Sequence, residues 1–213
     1  MENLTQLIHY FLKTNKQNKI KKSAIVFSAF LALTAFTTAV APWQNDDPHS
    51  QLGFTVTHLG ISDISGTFND FDVTVNSTKP DFSDATFELT AKIGSIDTRV
   101  EARDNHLKSP DFFDAANYPA LSFKSTSLKK EGKNSYKLAG NLTMHGVTKP
   151  VTMDLVYKGT VEHPMNKKQV AAFQLTGTIK RSDFAIGEKF AAPMISDEVR
   201  IKADGEFVQN GAK

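Results

Sequence analysis

The side chains that could carry out chemistry are few in this chain and stand far apart. The histidines beyond the first forty residues are His49, His58, His106, His145 and His163. None of them has HxxxH or similar metal-ligand spacing, although a cluster formed only by folding would escape this test. No serine stands in a GxSxG turn, and the absence of cysteine excludes thiol catalysis, disulfides and cysteine metal sites. We therefore predict no catalytic residue, no metal and no cofactor, and a protein that is not an enzyme.

One histidine continues a row of apolar residues. Phe54, Val56 and His58 alternate with threonines, so the three side chains share one face of a predicted strand. His58 then either contacts the polar end of a bound molecule or forms a hydrogen bond inside an ordinary core. The spacing leaves both interpretations open.

One arginine ends a similar row. The alternating positions that begin at Phe173 and include Ile179 lead to Arg181. A guanidinium at the end of a strand can bind a phosphate or a quinone oxygen at the mouth of a barrel through its paired N–H donors. The alternative is a structural ion pair with a carboxylate such as Asp104 or Asp183.

The elements that would position these residues are β-strands. Apolar side chains recur at every second position between Ser50 and Gln209, which is the period of a half-buried strand. Short turns between the segments favour antiparallel neighbours. We predict eight strands, at 50–58, 64–75, 84–95, 119–128, 135–144, 150–159, 169–181 and 198–208. Eight such strands form either a closed barrel, which is filled by side chains or holds one small ligand, or a sandwich with a dry core.

One connection differs from the turns. Thr98 followed three residues later by Glu101 has the form of a capping box, and helical spacing continues to the Ser109–Pro110 dipeptide. We predict one short helix here, between the third and fourth strands. The adjacent Phe112 and Phe113 are expected to plug one end of the barrel.

The first 41 residues form a separate region. A lysine-rich stretch precedes an uncharged apolar run at 24–33, and small residues follow up to Ala41. This order is typical of a secretory signal peptide, with an uncleaved membrane anchor as the alternative. Because Pro42 would directly follow a cut after Ala41, we favour cleavage after Ala39. The prediction is a periplasmic or secreted protein with one mature domain over 42–213.

The charge of the mature region argues against nucleic acid as a partner. The first 41 residues carry five of the 25 Lys and Arg and one of the 23 Asp and Glu, which leaves 20 basic and 22 acidic residues. Nucleic-acid binding depends on neutralising phosphates with clustered basic residues. A mature region with a net charge of −2 and no basic run lacks that feature.

Several local strings resemble the YceI-like family. They are HS at 49–50, FTVTHLGIS at 54–62, GTF at 66–68, RDNHLKSPDFFD at 103–114, YPALSF at 118–123, LTMHGVTKPV at 142–151, RSDF at 181–184 and DEVRI at 197–201. Each string alone is a weak signal, but together they follow the order of the family and cover almost the whole mature region. Ala185 departs from the pattern, since the family often has glycine after this phenylalanine.

The resemblance implies an all-β, eight-stranded antiparallel, lipocalin-like barrel with an apolar interior, typical of exported bacterial proteins. Family members are associated with binding polyisoprenoids or other lipid-like chains, without an established catalytic activity. The expected partner is therefore a polyisoprenoid, an isoprenoid quinone or another long-chain lipid. Transient contact with a membrane and formation of a homodimer remain open. The alternatives are an enzyme acting on a lipid inside the barrel and a stress-related structural domain with a filled core.

Inward-facing residues of the strands and of the loop after Phe184 are the predicted ligand-binding site. A long apolar guest needs a lumen with few polar groups, because an unpaired buried polar group costs about 1–3 kcal/mol. The candidates are Phe54, Val56, His58, Phe68, Phe87, Leu89, Leu142, Met144, Met153, Leu155, Phe173, Leu175, Ile179, Arg181, Phe184, Phe190, Met194 and Ile201. The loop at 184–196 is unusually apolar for a connector and is either a lid or a segment packed on the rim.

Overall fold

Antiparallel strands make up most of residues 41–209, the part of the chain that the computed structural model describes. The strands are β1 (Trp43–Asn45), β2 (Gln51–His58), β3 (Ser62–Phe68), β4 (Phe71–Asn76), β5 (Thr86–Lys92), β6 (Ile96–Asp97), β7 (Ala120–Lys130), β8 (Ser135–Met144), β9 (Val147–Glu162), β10 (Gln169–Lys180) and β11 (Glu198–Gln209). A helix, α1 (Glu101–Lys108), lies between β6 and β7. No helix within 41–209 is long and apolar enough to cross a membrane. The predicted signal sequence and the preferred cut after Ala39 lie outside the described residues.

The strands close into a barrel. Hydrogen-bonded neighbours follow the order β1-β4-β5-β7-β8-β9-β10-β11, and β1 pairs with β11 as well as with β4. A second branch leads from β11 through β2 and β3 to β6. The two branches complete different parts of the wall, because β11 pairs with β2 over 200–204 and with β1 over 207–209. The predicted eight-stranded antiparallel barrel is confirmed, and the sandwich alternative is wrong.

The predicted strands are present with changed boundaries. The predicted strand at 64–75 is interrupted at Asn69 and Asp70, where the chain leaves β3 and enters β4. The third one ends at Lys92, and a 3-10 turn over Ile93–Ser95 leads into β6. The sixth one, β9, begins at Val147, so Pro150 lies within the strand opposite Asn141 rather than in the turn. The short β1 was missed, because three residues are too few to show alternation.

The helix exists where the spacing places it, but the predicted capping box is wrong. The residue before the first helical turn is Val100, and no side chain caps it. Thr98 lies outside the helix and is bonded to Asp104, whose Oδ1 accepts hydrogen bonds from the Thr98 amide at 2.8 Å and hydroxyl at 2.5 Å. The helix ends at Lys108, one residue before Ser109. Pro110 explains this end, because a residue that precedes proline is disfavoured in helical conformation.

The two ends of the barrel differ in how they are filled. At one end, which we call the closed end, the connections are the loops at 77–85, 131–134 and 163–168. The core there is one cluster of buried side chains: Trp43, Val75, Phe82, Ala85, Phe87, Tyr136, Leu138, Leu155, Ala171, Phe173 and Phe207. At the other end, which we call the mouth, the connections are 59–61, 93–119, 145–146 and the long loop at 181–197.

Candidate binding site

A cavity of about 490 Å³ occupies the barrel interior between the closed-end cluster and the mouth. This volume falls within the range of about 300–1,000 Å³ that is usual for sites that bind small molecules. The lining is mainly aliphatic and aromatic, and much of it comes from alternate positions of the strands. The pattern arises because every second side chain of a strand points to the same face. The lumen is therefore hollow towards the mouth, contrary to the interpretation of a completely filled core.

The structure brings all the predicted site residues except Phe184 around this cavity. Phe184 is 1% exposed and packs in the core of the mouth instead. Its backbone oxygen accepts a hydrogen bond from Nδ1 of His145 at 3.1 Å. Ala185 follows it with a φ of +54°, a left-handed conformation that glycine adopts more readily than alanine. The glycine that the family resemblance led us to expect at this position would adopt this backbone without strain.

Sequence reasoning missed two groups of lining residues. One group extends rows that the alternation already indicated: Leu52, Ile64, Phe71, Val73, Leu121, Phe123, Val199, Ala203 and Phe207. The other comes from the connection between β6 and β7 and includes Thr98, Arg103, His106, Leu107, Phe112 and Phe113. The first group could have been found by continuing each row to the end of its strand. Phe112 and Phe113 were predicted at one end of the barrel, but no member of the second group was assigned to the site, because these side chains reach the lumen from a helix and a turn, where strand alternation does not apply.

Phe54 shows how the wall is shaped locally. A Cβ added at Gly66 would lie 2.5 Å from the Phe54 ring, so only glycine leaves room for that ring to lie flat on β3. The same ring lies 5.6 Å from the ring of Phe68. Because Gly66 has no side chain, the Phe54 ring can pack against the barrel wall, away from the centre of the lumen.

The Arg181 side chain organises the loop at the mouth. Arg181 as a residue is buried, with a relative exposure of 7%. Nε donates to the Ser196 oxygen at 3.1 Å, and Nη1 donates to the oxygens of Ile186 at 2.9 Å and Gly187 at 2.6 Å. Nη2 donates to the backbone oxygens of Phe190 and Ile195 in the same loop. All five N–H groups are thereby used, since a guanidinium has five.

This geometry corrects the interpretation of Arg181 as one half of an ion pair. Within 41–209 it has no carboxylate within ion-pair distance, and neither Asp104 nor Asp183 fills that role. Asp197 lies close by and binds Ser182 through both carboxylate oxygens. Burial acts to raise the pKa of Asp197, but the hydrogen bonds from Ser182 and the nearby Arg181 charge outweigh it, so the pKa is lowered. A direct contact of Arg181 with a ligand stays a prediction.

The loop over 181–197 both packs on the rim and lines the cavity. Phe190 stacks on Phe112 with ring centroids 5.0 Å apart, and the His106 ring meets both edge-on, at 5.0 Å from Phe112 and 5.4 Å from Phe190. Lys189 Nζ lies 2.6 Å from Asp111 Oδ1, and this hydrogen bond lowers the pKa of Asp111 despite a smaller opposing effect of burial. These contacts join the loop to the segment after α1 and cover that side of the mouth.

The turn after β2 brings exposed apolar side chains to the mouth. His58 lines the cavity but is exposed, so its interpretation as a buried core histidine is wrong. The neighbouring turn places Leu59 at 53% exposure and Ile61 at 85%, and Met194 is 49% exposed. The Leu59 amide donates to the Met194 oxygen at 3.1 Å, which ties the turn to the loop.

Polar chemistry inside the cavity is limited. No buried side-chain nitrogen or oxygen of residues 41–209 lacks a hydrogen-bond partner. One group in this part of the chain could offer three ligand atoms to a metal: Asp46, His49 and Glu206, with the atoms within 4.8 Å of one another. None of these three lines the cavity. Asp46 forms a hydrogen bond with His49 at 2.7 Å and thereby raises the pKa of that imidazole.

The fold and the sequence agree with known proteins. Residues 43–207 match the family model described as YceI-like domain. The chain is 38% identical over 168 residues to UPF0312 protein SA2479 of Staphylococcus aureus, which covers 76% of this chain and 94% of that protein. A YceI protein of Campylobacter jejuni superposes with a TM-score of 0.67 at 31% identity, covering 72% of this chain and 90% of that one.

A more distant solved structure has the same fold. It is a polyisoprenoid-binding domain from Saccharophagus degradans that is implicated in plant cell wall breakdown. The TM-score is 0.62 at 15% identity, and the superposition covers 80% of this chain and 99% of that domain. At this identity the likeness concerns the fold.

Proposed function

The chain belongs to the YceI-like family, and we propose that it is an exported protein that binds the hydrocarbon chain of a polyisoprenoid or a similar long-chain amphiphile in its barrel. The observation that carries the proposal is the closed wall of apolar side chains around a cavity of about 490 Å³. Each methylene that leaves water for such a lumen contributes about 0.8 kcal/mol. Several isoprene units would therefore bind tightly without any charged contact.

The relatives support the class of ligand. The Saccharophagus degradans domain is described as polyisoprenoid-binding and has the same barrel. An isoprenoid quinone satisfies the same requirements, because it combines an isoprenoid tail with a compact polar end. In this proposal the tail lies towards Phe173 and Phe207 at the base of the cavity, and the polar end lies near the mouth. The protein acts by holding and releasing its ligand, without a chemical step.

Export and contact with a membrane complete the proposal. The basic, apolar and small-residue regions of 1–41 support secretion or delivery to the periplasm. The exposed Leu59, Ile61 and Met194 beside the opening support transient contact with the membrane from which a lipid would be taken. The described cavity is complete within one chain, so binding does not require the homodimer that remains a prediction.

Native mass spectrometry of protein extracted gently from its source tests the proposal directly. We expect an additional mass of a lipid bound in a one-to-one ratio. A fluorescent polyprenyl probe should bind the delipidated protein saturably and be displaced by the extracted lipid. Protein that is always ligand-free and shows no saturable binding of polyprenyl or quinone probes would contradict the proposal.

A pair of tryptophan substitutions assigns the binding to the lumen. Ile201→Trp fills part of the cavity that Ile201 lines. Loss of space for two or more methylenes weakens probe binding by about tenfold or more. Val161→Trp is the matched control, because Val161 is 65% exposed and does not line the cavity. Equal effects of the two substitutions would place the probe elsewhere.

A further inference from the structure

One cationic side chain at the mouth has donors to spare. Arg103 on α1 is partly buried and lines the cavity. Its Nε donates to Thr98 Oγ1 at 2.7 Å, and its Nη2 donates to the Thr98 backbone oxygen at 2.7 Å. Nη1 has no hydrogen bond to any residue within 41–209. One edge of the guanidinium is therefore fixed to Thr98, and the remaining N–H groups are available to a guest.

The partners of Arg103 are themselves held in place. Thr98 is 2% exposed, and its amide and hydroxyl both donate to Asp104 Oδ1. Asp104 is thus bound to Thr98, and it does not come within ion-pair distance of Arg103. The arrangement fixes the direction of the guanidinium without pairing its charge with a carboxylate. An oriented guanidinium loses less entropy when it binds than a free one does.

The other ionisable residues that line the cavity are basic near the mouth and acidic further along the barrel. Near the mouth these are His58, His106 and Arg181, all of them bases. The acidic lining residue, Asp204, lies further along β11 opposite Gln51 and accepts a hydrogen bond from Gln174 at 2.7 Å. Because the N–H groups of Arg181 are all used by backbone oxygens, Arg103 is the arginine among the described lining residues that has donors left for a ligand.

From this arrangement we propose that Arg103 recognises an anionic head group, a phosphate or a carboxylate, on the ligand whose tail lies in the lumen. The planar guanidinium matches the paired oxygens of both anions. The inference rests on the proposed lipid binding and narrows it from amphiphiles in general to anionic ones. Arg103 is then a residue that determines specificity, and the apolar wall supplies the affinity that neutral and anionic ligands share.

Matched probes separate the head group from the tail. Delipidated protein is titrated with geranylgeranyl phosphate and geranylgeraniol, and in a second arm with palmitate and hexadecanol. Hydrogen bonds to a charged group correspond to about a 10- to 100-fold preference for the anion over the alcohol. The larger preference of the two arms identifies phosphate or carboxylate as the better head group.

Variants assign the preference to one residue. Arg103→Gln should reduce the anion preference to less than about threefold, because the charged contact is lost. The quantity measured is the ratio of anion affinity to alcohol affinity, since the change also removes the two hydrogen bonds to Thr98. Arg103→Lys should retain part of it, since lysine keeps the charge without the planar fork. Arg99→Gln, at an exposed position that does not line the cavity, is the matched control and should bind as the original chain does. Thermal unfolding of each variant verifies that it is folded.

The outcomes are distinguishable. If neither member of either pair binds, the proposed function fails together with this inference. If phosphate, carboxylate and alcohol bind equally well to the original chain, the inference is wrong while the proposed function stands. A preference that persists in Arg103→Gln would also overturn the inference and assign recognition to another residue of the mouth.

Discussion

The closed end and the mouth of this barrel are built from the same alternating strands, but one is solid and the other is hollow. At the closed end Phe82 enters the barrel from the loop at 77–85. The centroid of its ring lies 5.3 Å from that of Trp43, 5.1 Å from that of Tyr157 and 5.0 Å from that of Phe173. Towards the mouth lies the cavity, which is lined by buried side chains that include Phe68, Phe112 and Leu142. The closed end can therefore supply stability while the mouth remains free to bind.

The two ends also differ in how their loops are held. Phe82 itself has a φ of +56° and is 3% exposed, so packing keeps it in a backbone conformation that costs about 1–2 kcal/mol. The mouth loop contacts Phe112, Asp111 and Leu59, and in addition a single guanidinium, that of Arg181, donates hydrogen bonds to its backbone oxygens. Packing of apolar side chains depends little on their exact orientation, whereas these hydrogen bonds require the N–H groups of the guanidinium to point at the backbone oxygens. The mouth should therefore respond to single polar substitutions and the closed end to changes of volume.

Removing the aromatic plug should have the largest effect. We expect Phe82→Ala to lower the free energy of unfolding by about 3–5 kcal/mol, because it leaves a void among buried rings. Phe54→Ala removes the same ring from the partly exposed cavity wall and should cost no more than about 2 kcal/mol. Urea denaturation measures both. Equal losses would contradict the division of the barrel into a stabilising end and a binding end.

Disconnecting the mouth loop should have the next largest effect. Arg181→Met leaves several backbone oxygens of the loop without donors, and we expect a loss of about 2–4 kcal/mol. Hydrogen exchange should rise within 186–196 and stay unchanged at the closed end. Arg200→Met is the control, because Arg200 forms an exposed ion pair with Asp63 that is worth less than about 1 kcal/mol. Unchanged exchange in Arg181→Met would show that packing alone holds the loop.

The same small-to-large change at the two ends should have opposite consequences. Ala171 is completely buried at the closed end, and Ala171→Leu should destabilise the protein by about 1–3 kcal/mol through overpacking. Ala203 lines the cavity, so Ala203→Leu should be accommodated with little loss of stability. It should instead weaken binding of a polyprenyl probe. Comparable destabilisation by both changes would mean that the mouth is as tightly packed as the closed end.

The smallest expected effect concerns acid sensitivity of the closed-end loop. The hydrogen bond from Lys130, with further ones from Ser83, lowers the pKa of Asp81 from 3.8 to about 2. A lowered pKa stabilises the folded state above pH 4, and this contribution is lost as the pH falls towards 2. Asp81→Asn should therefore be less stable than the original chain at neutral pH, with the difference vanishing near pH 2. A difference that is constant over this range in urea denaturation would rule out the ion pair as its source.

The barrel and most of its inner wall were predictable from the sequence, for a local reason. Alternation assigns each side chain to a face within its own strand, so Phe54, Phe173 and Ile201 could be placed without knowing their neighbours. Arg103 and Phe82 could not be placed in this way. Arg103 lies on a helix with no apolar row leading to it, and Phe82 lies in a loop where no period applies.

The predicted boundaries of the second strand and the predicted capping box were wrong for a related reason. The break at Asn69 and Asp70 separates two strands that pair with different partners, β3 with β2 and β4 with β5. Thr98 and Glu101 have the spacing of a capping box, yet Thr98 bonds to Asp104 because the chain enters α1 later than the motif implies. A short sequence motif does not define the local structure where two different backbone conformations can both give its hydrogen-bonding groups partners.

By itself the sequence determined that strands of alternating polarity make one antiparallel domain, because side-chain period and turn chemistry act over a few neighbouring residues. It also contained the strings of the YceI-like family. Only the tertiary structure decided that the interior is solid at one end and open at the other. That outcome depends on contacts between residues far apart in the chain, such as Phe82 with Phe173 and Arg181 with the loop that follows it, which no local pattern records.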